Sequence, residues 1–500
     1  MSAPLSETIS TDGDQPSVAL ADEPTIARAE AGWRERLDRI FELQRDHRWA
    51  MANSGPEQRI ARIERISAWV DTHRDEIRAA GRTDFSKPAF EVDLTEIWPV
   101  LQEARHAMRH VEEWMRPERV RASPALATTR SWIVPEARGQ ALVIAPWNYP
   151  INLTLIPLIS ALAAGCCVVL KPSELVPAHS ALLRQMIEEL FDPSEVALFE
   201  GDAEVAQALL ERPFEHVFFT GSTSIGRRVM QSAADHLATV TLELGGKSPV
   251  VLGDDAQLRD TAAKTVWGKF VNAGQTCIAP DYVLVPRARF DETVRVFSRA
   301  IGKAYGATDA ARRRSRDLAR IVNQRHFDRL EGLLARTRDA GAQVVFGGET
   351  DRASRYVAPT LLVDVPLDSP AMQEEIFGPI LPLLPYDRLE DALEIIRARP
   401  KPLALYVFGS RRFARDVIGK TSAGGTCIND VALHFLHPRL PFGGVNHSGH
   451  GASHGRAGFD AFSHRRAVLK HHRWSALKLM APPYGRLARL LGKATLRFLR

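Results

Sequence analysis

With 500 residues, 45% of them hydrophobic and 25% charged, the chain is too long for one ordinary core and has the balance of a globular protein of two or three domains. Its formal charge of +5 is a local effect, because His464 to Arg500 carries ten Lys and Arg and no acid; the rest is mildly acidic, which argues against a general nucleic-acid-binding surface. Four cysteines, the adjacent Cys166 and Cys167 and the single Cys277 and Cys427, make neither a disulfide framework nor a zinc spacing and point to a reducing compartment, the cytoplasm.

The first 24 residues are polar and acidic, lack the apolar stretch of a signal peptide, and are expected to be disordered. No uninterrupted apolar run reaches bilayer-spanning length. Thr25 to Met115 has apolar residues at helical spacing, with breaks at Ser54, Gly55-Pro56 and Lys87-Pro88. From Ala141 the pattern turns to strand–helix alternation. "ALVIA", "CCVVLKP", "VALFEG", "HVFFTG" and "TVTLELGG" are predicted strands, and the apolar "NLTLIPLISALAAG" and "TSIGRRVMQSAADHL" predicted helices. A second run begins near Ser248, with strands "PVVLG", "YVLVP", "AQVVFGG", "YVAPTLLV", "LALYVFGS" and "TCIND". The fold class is therefore α/β with parallel, doubly wound sheets, and a cleft between two such units is a common place for a small-molecule site.

Several strand ends carry candidate chemistry. In "FFTGSTSIG", Gly221 and Ser222 form a turn into a helix that reaches Gly226, where backbone N–H groups and the helix dipole suit a pyrophosphate; a plain glycine-containing turn has the same sequence. In "VLKPSE", Lys171 and Glu174 lie just past a strand, where ligands of open sheets bind, although a solvated loop would look alike. Asn148 in "APWNYP" is an amide placed to donate to an oxyanion, or ordinary turn chemistry. Glu243 stands between two leucines in "LELGGKSP", so either burial raises its pKa into the range of a neutral-pH general base, or it faces solvent from an edge strand. Cys277 in "GQTCI" has small, polar neighbours; beside a base its thiolate fraction rises and it becomes a strong nucleophile, whereas most lone cysteines are structural.

The set decides between these readings. "APWNYP", "VLKPSE", "FTGSTSIG", "LELGGKSP", "GQTCIAPDY", "EEIFGPILP" and "LPFGG" occur in that order, and together they resemble the aldehyde dehydrogenase superfamily from about Arg39 to His472. "GQTCIAPDYVLV", "CINDVALH" and "HGRAGFDAFSHRRAVL" are similar to its class 3 branch, which includes fatty-aldehyde, aromatic-aldehyde and bacterial coniferyl-aldehyde dehydrogenases. The resemblance implies that fold: a Rossmann-like nucleotide-binding domain, an α/β catalytic domain and a small bridging element that makes a homodimer. It implies Cys277 as nucleophile, Glu243 as general base and Asn148 as oxyanion donor. It implies Gly221, Ser222 and Gly226 near the pyrophosphate, Lys171 and Glu174 on the adenosine ribose, and Glu375 and Phe377 on the nicotinamide half. The implied cofactor is NAD, with NADP possible, and Glu174 should repel a 2′-phosphate; no metal is implied, and His434, His437, His447, His450 and His454 fit no standard metal spacing.

On this resemblance residues 25–116 and 139–245 form the NAD-binding domain, 246–425 the catalytic domain, and 117–138 with 426–472 the bridging element. Asn446 and His450 depart from many class 3 relatives in a segment that lies near the substrate entrance there. The expected reaction is oxidation of a hydrophobic or aromatic aldehyde, coniferaldehyde-like, with long-chain aliphatic aldehydes as the alternative and an idle nucleotide-binding scaffold as the contrary reading. Residues 473–500 form a basic amphipathic tail that can lie on an anionic membrane surface or dock on the protein or a partner subunit.

Overall fold

The computed structural model describes residues 23–122, 126, 128–471 and 481–498. The expected disorder of residues 1–22 and the tail residues 473–480, 499 and 500 fall outside the described residues, while Glu23 and Pro24, also expected to be disordered, begin a helix. Helices Glu23–Ala52, Pro56–Thr72, Arg74–Phe85 and Trp98–Met115 open the chain, with breaks where Gly55-Pro56 and Lys87-Pro88 forbid continuation. A π-helical turn, Asp93–Ile97, leads into the last of them.

Two large sheets follow. The first has the order Gly449–His450, Thr239–Glu243, His216–Thr220, Gln140–Ile144, Cys167–Lys171, Val196–Leu198; all neighbours are parallel except the two-residue edge strand. The chain runs outward from Gln140–Ile144 and then returns to its other side at His216–Thr220, which makes a topological switch point between those strands. Helix Asn152–Ala164 is buried along its whole length, as its largely apolar sequence requires, and ends at Gly165 in a left-handed cap.

The second sheet has the order Gln343–Phe346, Thr360–Val363, Ile380–Tyr386, Tyr282–Pro286, Pro249–Leu252, Ala404–Phe408, Gly425–Ile428, parallel except at the first edge. Two differences from the sequence pattern stand out. "YVAPTLLV" is not one strand: it splits at Ala358-Pro359 into Tyr356–Val357, paired in a small hairpin, and Thr360–Val363. Ile380–Tyr386, absent from the predicted set, is central despite Pro382 and Pro385. Its first half pairs with Thr360–Val363 and its second half with Tyr282–Pro286, so a missing N–H on one side breaks no ladder.

A third sheet joins Glu118–Val120, Thr129–Ala137 and Ser463–His471, antiparallel throughout. The stretch between Gly425 and His471 thus contributes strands to all three sheets.

Candidate active site

The two large sheets meet a common cleft with opposite ends. The first offers carboxyl ends: Asn148 follows Gln140–Ile144, Lys171 closes its own strand ahead of Glu174, Gly221 and Ser222 follow His216–Thr220, and Glu243 ends Thr239–Glu243. The second offers amino ends: Gly245 precedes Pro249–Leu252, Cys277 precedes Tyr282–Pro286, and Glu375 and Phe377 precede Ile380–Tyr386.

Cys277 sits where two cavities meet. One, about 210 Å³, is lined by Asn148, Gly221, Ser222, Glu243, Glu375 and Phe377 as well as Cys277. The other, smaller at about 70 Å³, is apolar, with Tyr149, Leu153, Trp267, Ile278, Phe435 and Leu436 around the same sulfur. The π-turn supplies Leu94 and Thr95 to its wall, and Thr95 is fixed there by its carbonyl, which accepts from Asn152 Nδ2 at 2.6 Å.

Three predicted residues lie outside the first cavity. Lys171 is buried, with Nζ 3.0 Å from Oε2 of the half-exposed Glu174, on the same sheet edge. Gly226 packs its helix against the next strand end: a Cβ there would lie 2.6 Å from Leu244 Cδ2. Ser222 caps that helix, its Oγ accepting from the N–H of Ile225.

The loop before Cys277 holds an unusual shape. Asn272, Ala273 and Gly274 are successive left-handed residues, with φ of 54°, 54° and 75°. Asn272 carries the cost through hydrogen bonds from both its backbone and its side chain. Its N–H donates to Glu91 Oε2 at 3.0 Å, its Nδ2 donates to the carbonyls of Asn148 at 2.9 Å and Gln275 at 3.2 Å, and its carbonyl accepts from Gln275 Nε2 at 2.9 Å. Asn148 Nδ2 closes the ring on the Gln275 carbonyl at 3.1 Å, which leaves its second hydrogen for the cavity. Gly274 is required here: a Cβ would lie 2.4 Å from the carbonyl oxygen of Gly378, so the cysteine loop and the Glu375 loop touch backbone to backbone.

Electrostatics differ for the three key groups. Burial and the carboxyl groups of Glu375 and Glu243 push the Cys277 thiol up, against a smaller opposing pull from the N–H groups of Cys277 and Ile278. The thiolate enrichment expected beside a base is therefore reversed, because desolvation outweighs the dipoles. Burial holds Glu243 at about 7, opposed by a hydrogen bond donated from Ser453 Oγ. Burial and the neighbouring Asp281 hold Glu375 at about 8. Its Oε1 has no partner among the described residues, and its Oε2 occupies space that a side chain at Gly245 would take. The Glu375 loop is pinned by Lys247, whose Nζ pairs with Asp281 and donates to the carbonyls of Ala371 at 2.7 Å and Glu374 at 2.8 Å; Asp281 in turn accepts from Ile376 N at 3.1 Å. Phe377, at a φ of 48°, turns its ring edge-on to Trp147 with centroids 5.4 Å apart.

Sequence reading missed Asn272, Gln275, Ser453 and the aromatic wall of Tyr149 and Phe435. Only the "NAGQ" run beside Cys277 carried a signal, as Asn and Gly are the residues that tolerate left-handed backbone. Asn446 Oδ1 accepts from Lys401 at 2.9 Å and His450 pairs with Leu242 in the ladder, and neither lines a cavity at Cys277. Among the described residues no three His, Cys, Asp or Glu side chains converge on a point that could hold a metal.

A family model described as the aldehyde dehydrogenase family matches residues 9–468. The chain is 43% identical to aldehyde dehydrogenase family 3 member H1 of Arabidopsis thaliana, over 86% of this chain and 89% of that protein. It is similar to a substrate-bound Staphylococcus aureus AldH structure, with a TM-score of 0.87, 38% identity, and 92% of this chain and 99% of that one covered. It is also similar to a Mycobacterium tuberculosis aldehyde dehydrogenase complexed with NAD+, with a TM-score of 0.80, 26% identity, and 89% and 92% of the two chains covered.

Proposed function

The chain belongs to the aldehyde dehydrogenase family, as an oxidoreductase acting on aldehydes, and from that premise we propose that it oxidises a hydrophobic or aromatic aldehyde, coniferaldehyde-like, to the carboxylic acid with NAD(P)+. The observation that carries this reading is the placement of one thiol between an apolar cavity and one whose wall bears the Asn148 amide and the carboxyl groups of Glu243 and Glu375. The apolar side takes the aldehyde's body and the polar side the nicotinamide half of the cofactor. The orphaned Oε1 of Glu375 is a ready acceptor for ribose hydroxyls, and Phe377 and Trp147 offer apolar faces to a ring. Lys171 and Glu174 hold the adenosine ribose, where a carboxylate favours a 2′-hydroxyl over a 2′-phosphate, so NAD is the better cofactor.

In the reaction, Cys277 Sγ loses its proton to solvent and the thiolate adds to the carbonyl carbon. The carbonyl oxygen becomes an oxyanion held by Asn148 Nδ2 and the N–H of Cys277, each donor contributing about 3 kcal/mol to the transition state. Bound NAD(P)+ supplies the hydride acceptor that takes this adduct to the thioester oxidation level. Glu243 then removes a proton from water, the oxygen attacks the thioester carbonyl, the C–S bond breaks and the thiol is restored.

The reading is tested by following NADH formation with coniferaldehyde, benzaldehyde, hexanal and decanal, each with NAD and NADP. The expected result is highest kcat/KM on an aromatic aldehyde with NAD; no rate on any of the four would sink the substrate class. A rate rising with alkyl length would instead establish the long-chain reading, which the tail favours.

The tail supports peripheral membrane contact. Helix Arg486–Phe498 leaves Leu487 58% and Leu490 68% exposed, with Arg486, Arg489, Lys493 and Arg497 on the adjoining face. At about 1.5 Å per residue it is too short to span a bilayer, and among the described residues no helix is long and apolar enough to cross one. Such a helix lies in an anionic headgroup layer. We also infer a homodimer, since among the described residues Gly425–Ile428 and Ser463–His471 are the outermost strands of their sheets and carry the exposed Ile428 and Leu469. Sedimentation reads both. The full chain should pellet with phosphatidylglycerol liposomes and a chain lacking Gly485 to Arg500 should not, while without lipid both should run as dimers; equal pelleting removes the membrane role, and a monomer mass removes the dimer.

A further inference from the structure

We propose that Ser453 is a positioning residue for the hydrolytic half-reaction, its hydroxyl fixing the carboxylate of Glu243 for water activation. The inference rests on Glu243 being the base, as read above. Ser453 lies 210 residues further along the chain, is 2% exposed, and its Oγ donates to Glu243 Oε1. Both ends of this bond are held. Ser453 exchanges two backbone hydrogen bonds with Phe442, N to O at 2.7 Å and O from N at 3.1 Å. The Glu243 carbonyl accepts from Gly221 N at 3.0 Å, its strand is covered by Gly449–His450, and Leu244 N donates to the Ser448 carbonyl at 3.0 Å. With Oε1 engaged, the second carboxylate oxygen is left for a water in the cavity that also holds Cys277.

The hydroxyl has a second effect. A donor to a carboxylate favours its ionised form, so Ser453 opposes the burial that raises Glu243. The other titratable groups around that carboxylate are Cys277, Glu375, His326 and Arg329 on the cavity wall. His447, His450 and His454 belong to the covering segment, and the His454 ring is turned to Phe435 and Phe442 instead, at 4.7 and 5.5 Å between centroids.

The hydrolytic step can be watched alone by acetylating Cys277 with p-nitrophenyl acetate and following loss of the acetyl group by intact-protein mass across neutral pH. In the wild type the decay rate should fall as pH drops through about 7, where Glu243 takes up its proton. Ser453→Ala should move that limb up by about one pH unit, the size of one charge-assisted hydrogen bond, and lower the alkaline plateau several-fold. Ser453→Thr, which keeps the hydroxyl, should restore both, and Ser453→Cys, a weak donor, should fall between, which preserves the test should the alanine variant fold poorly. A limb that stays put in Ser453→Ala and Ser453→Cys, while Glu243→Gln abolishes hydrolysis, overturns the positioning role and leaves the base intact. Unchanged hydrolysis in Glu243→Gln overturns the base, and this proposal with it.

Discussion

Cys277→Ala should abolish aldehyde oxidation, with kcat/KM falling at least about 10⁴-fold, while NAD binding and the thermal midpoint stay close to wild type. The size of the effect follows from the chemistry: without the sulfur no covalent adduct forms, and hydride would have to leave a hydrated aldehyde that no residue holds. No other cysteine can substitute. Cys166 and Cys167 are fully buried in the first sheet's core, with their thiols pushed up by burial. Cys427 is buried beneath the second sheet's edge with Sγ 3.2 Å from His434 Nδ1. Stability is spared because Cys277 is only partly buried and its loop is held by Asn272 and Gln275, not by the sulfur. NADH formation with the preferred aldehyde, NAD titration by calorimetry and a thermal melt check the three parts. Turnover retained in the alanine variant would place the chemistry elsewhere, and lost NAD binding would mean that the loop had collapsed.

What the sequence carried and what it hid divide along a physical line. Strand–helix alternation and Gly or Pro breaks are local signals, and they located both sheets, the buried helix Asn152–Ala164 and the strand ends that bear Asn148, Lys171, Gly221 and Glu243. Burial of Glu243 was left open, because on a strand its flanking leucines point to the opposite face; the covering strand Gly449–His450, distant in the chain, is what buries it. The central strand Ile380–Tyr386 was hidden because two prolines argue against a strand, and only the split of its pairing between two neighbours makes them harmless. The supports of the site were hidden for a different reason. Glu91 meets Asn272 across 181 residues and Ser453 meets Glu243 across 210, and no periodicity encodes such meetings. The protonation of Cys277 depends on the sum of burial, two carboxyl groups and two N–H dipoles, so the motif around it could propose a nucleophile but carried nothing about its resting state.

Glu243→Gln should reduce thioester hydrolysis about 10³-fold, the range of a lost general base, while the step that forms NADH in the first turnover is much less affected. The variant should therefore give one rapid equivalent of NADH and then stall, with the acyl group on Cys277 visible by mass. The same substitution should stabilise the protein, with a definite pH dependence. A glutamate at about 7 in the folded chain and 4.5 in the unfolded one binds its proton more tightly when folded. Its contribution to stability is thus fully present below 4.5 and is lost as pH rises to about 7, above which a buried carboxylate must be kept ionised. The loss reaches at most about 3 kcal/mol. Glutamine keeps an oxygen to accept from Ser453 Oγ and carries no charge at any pH. The two proteins should melt together at pH 4 and diverge towards pH 8, with the glutamine variant the more stable. Equal melting points at both pH values would mean that Glu243 is solvated in solution, and the argument from burial to base would fall with them. If instead Glu243→Gln is stabler but hydrolyses normally, the carboxylate is buried as described and another group activates the water. Stability given up at one buried carboxylate for the sake of turnover is the trade expected where a charge is held out of water to do chemistry.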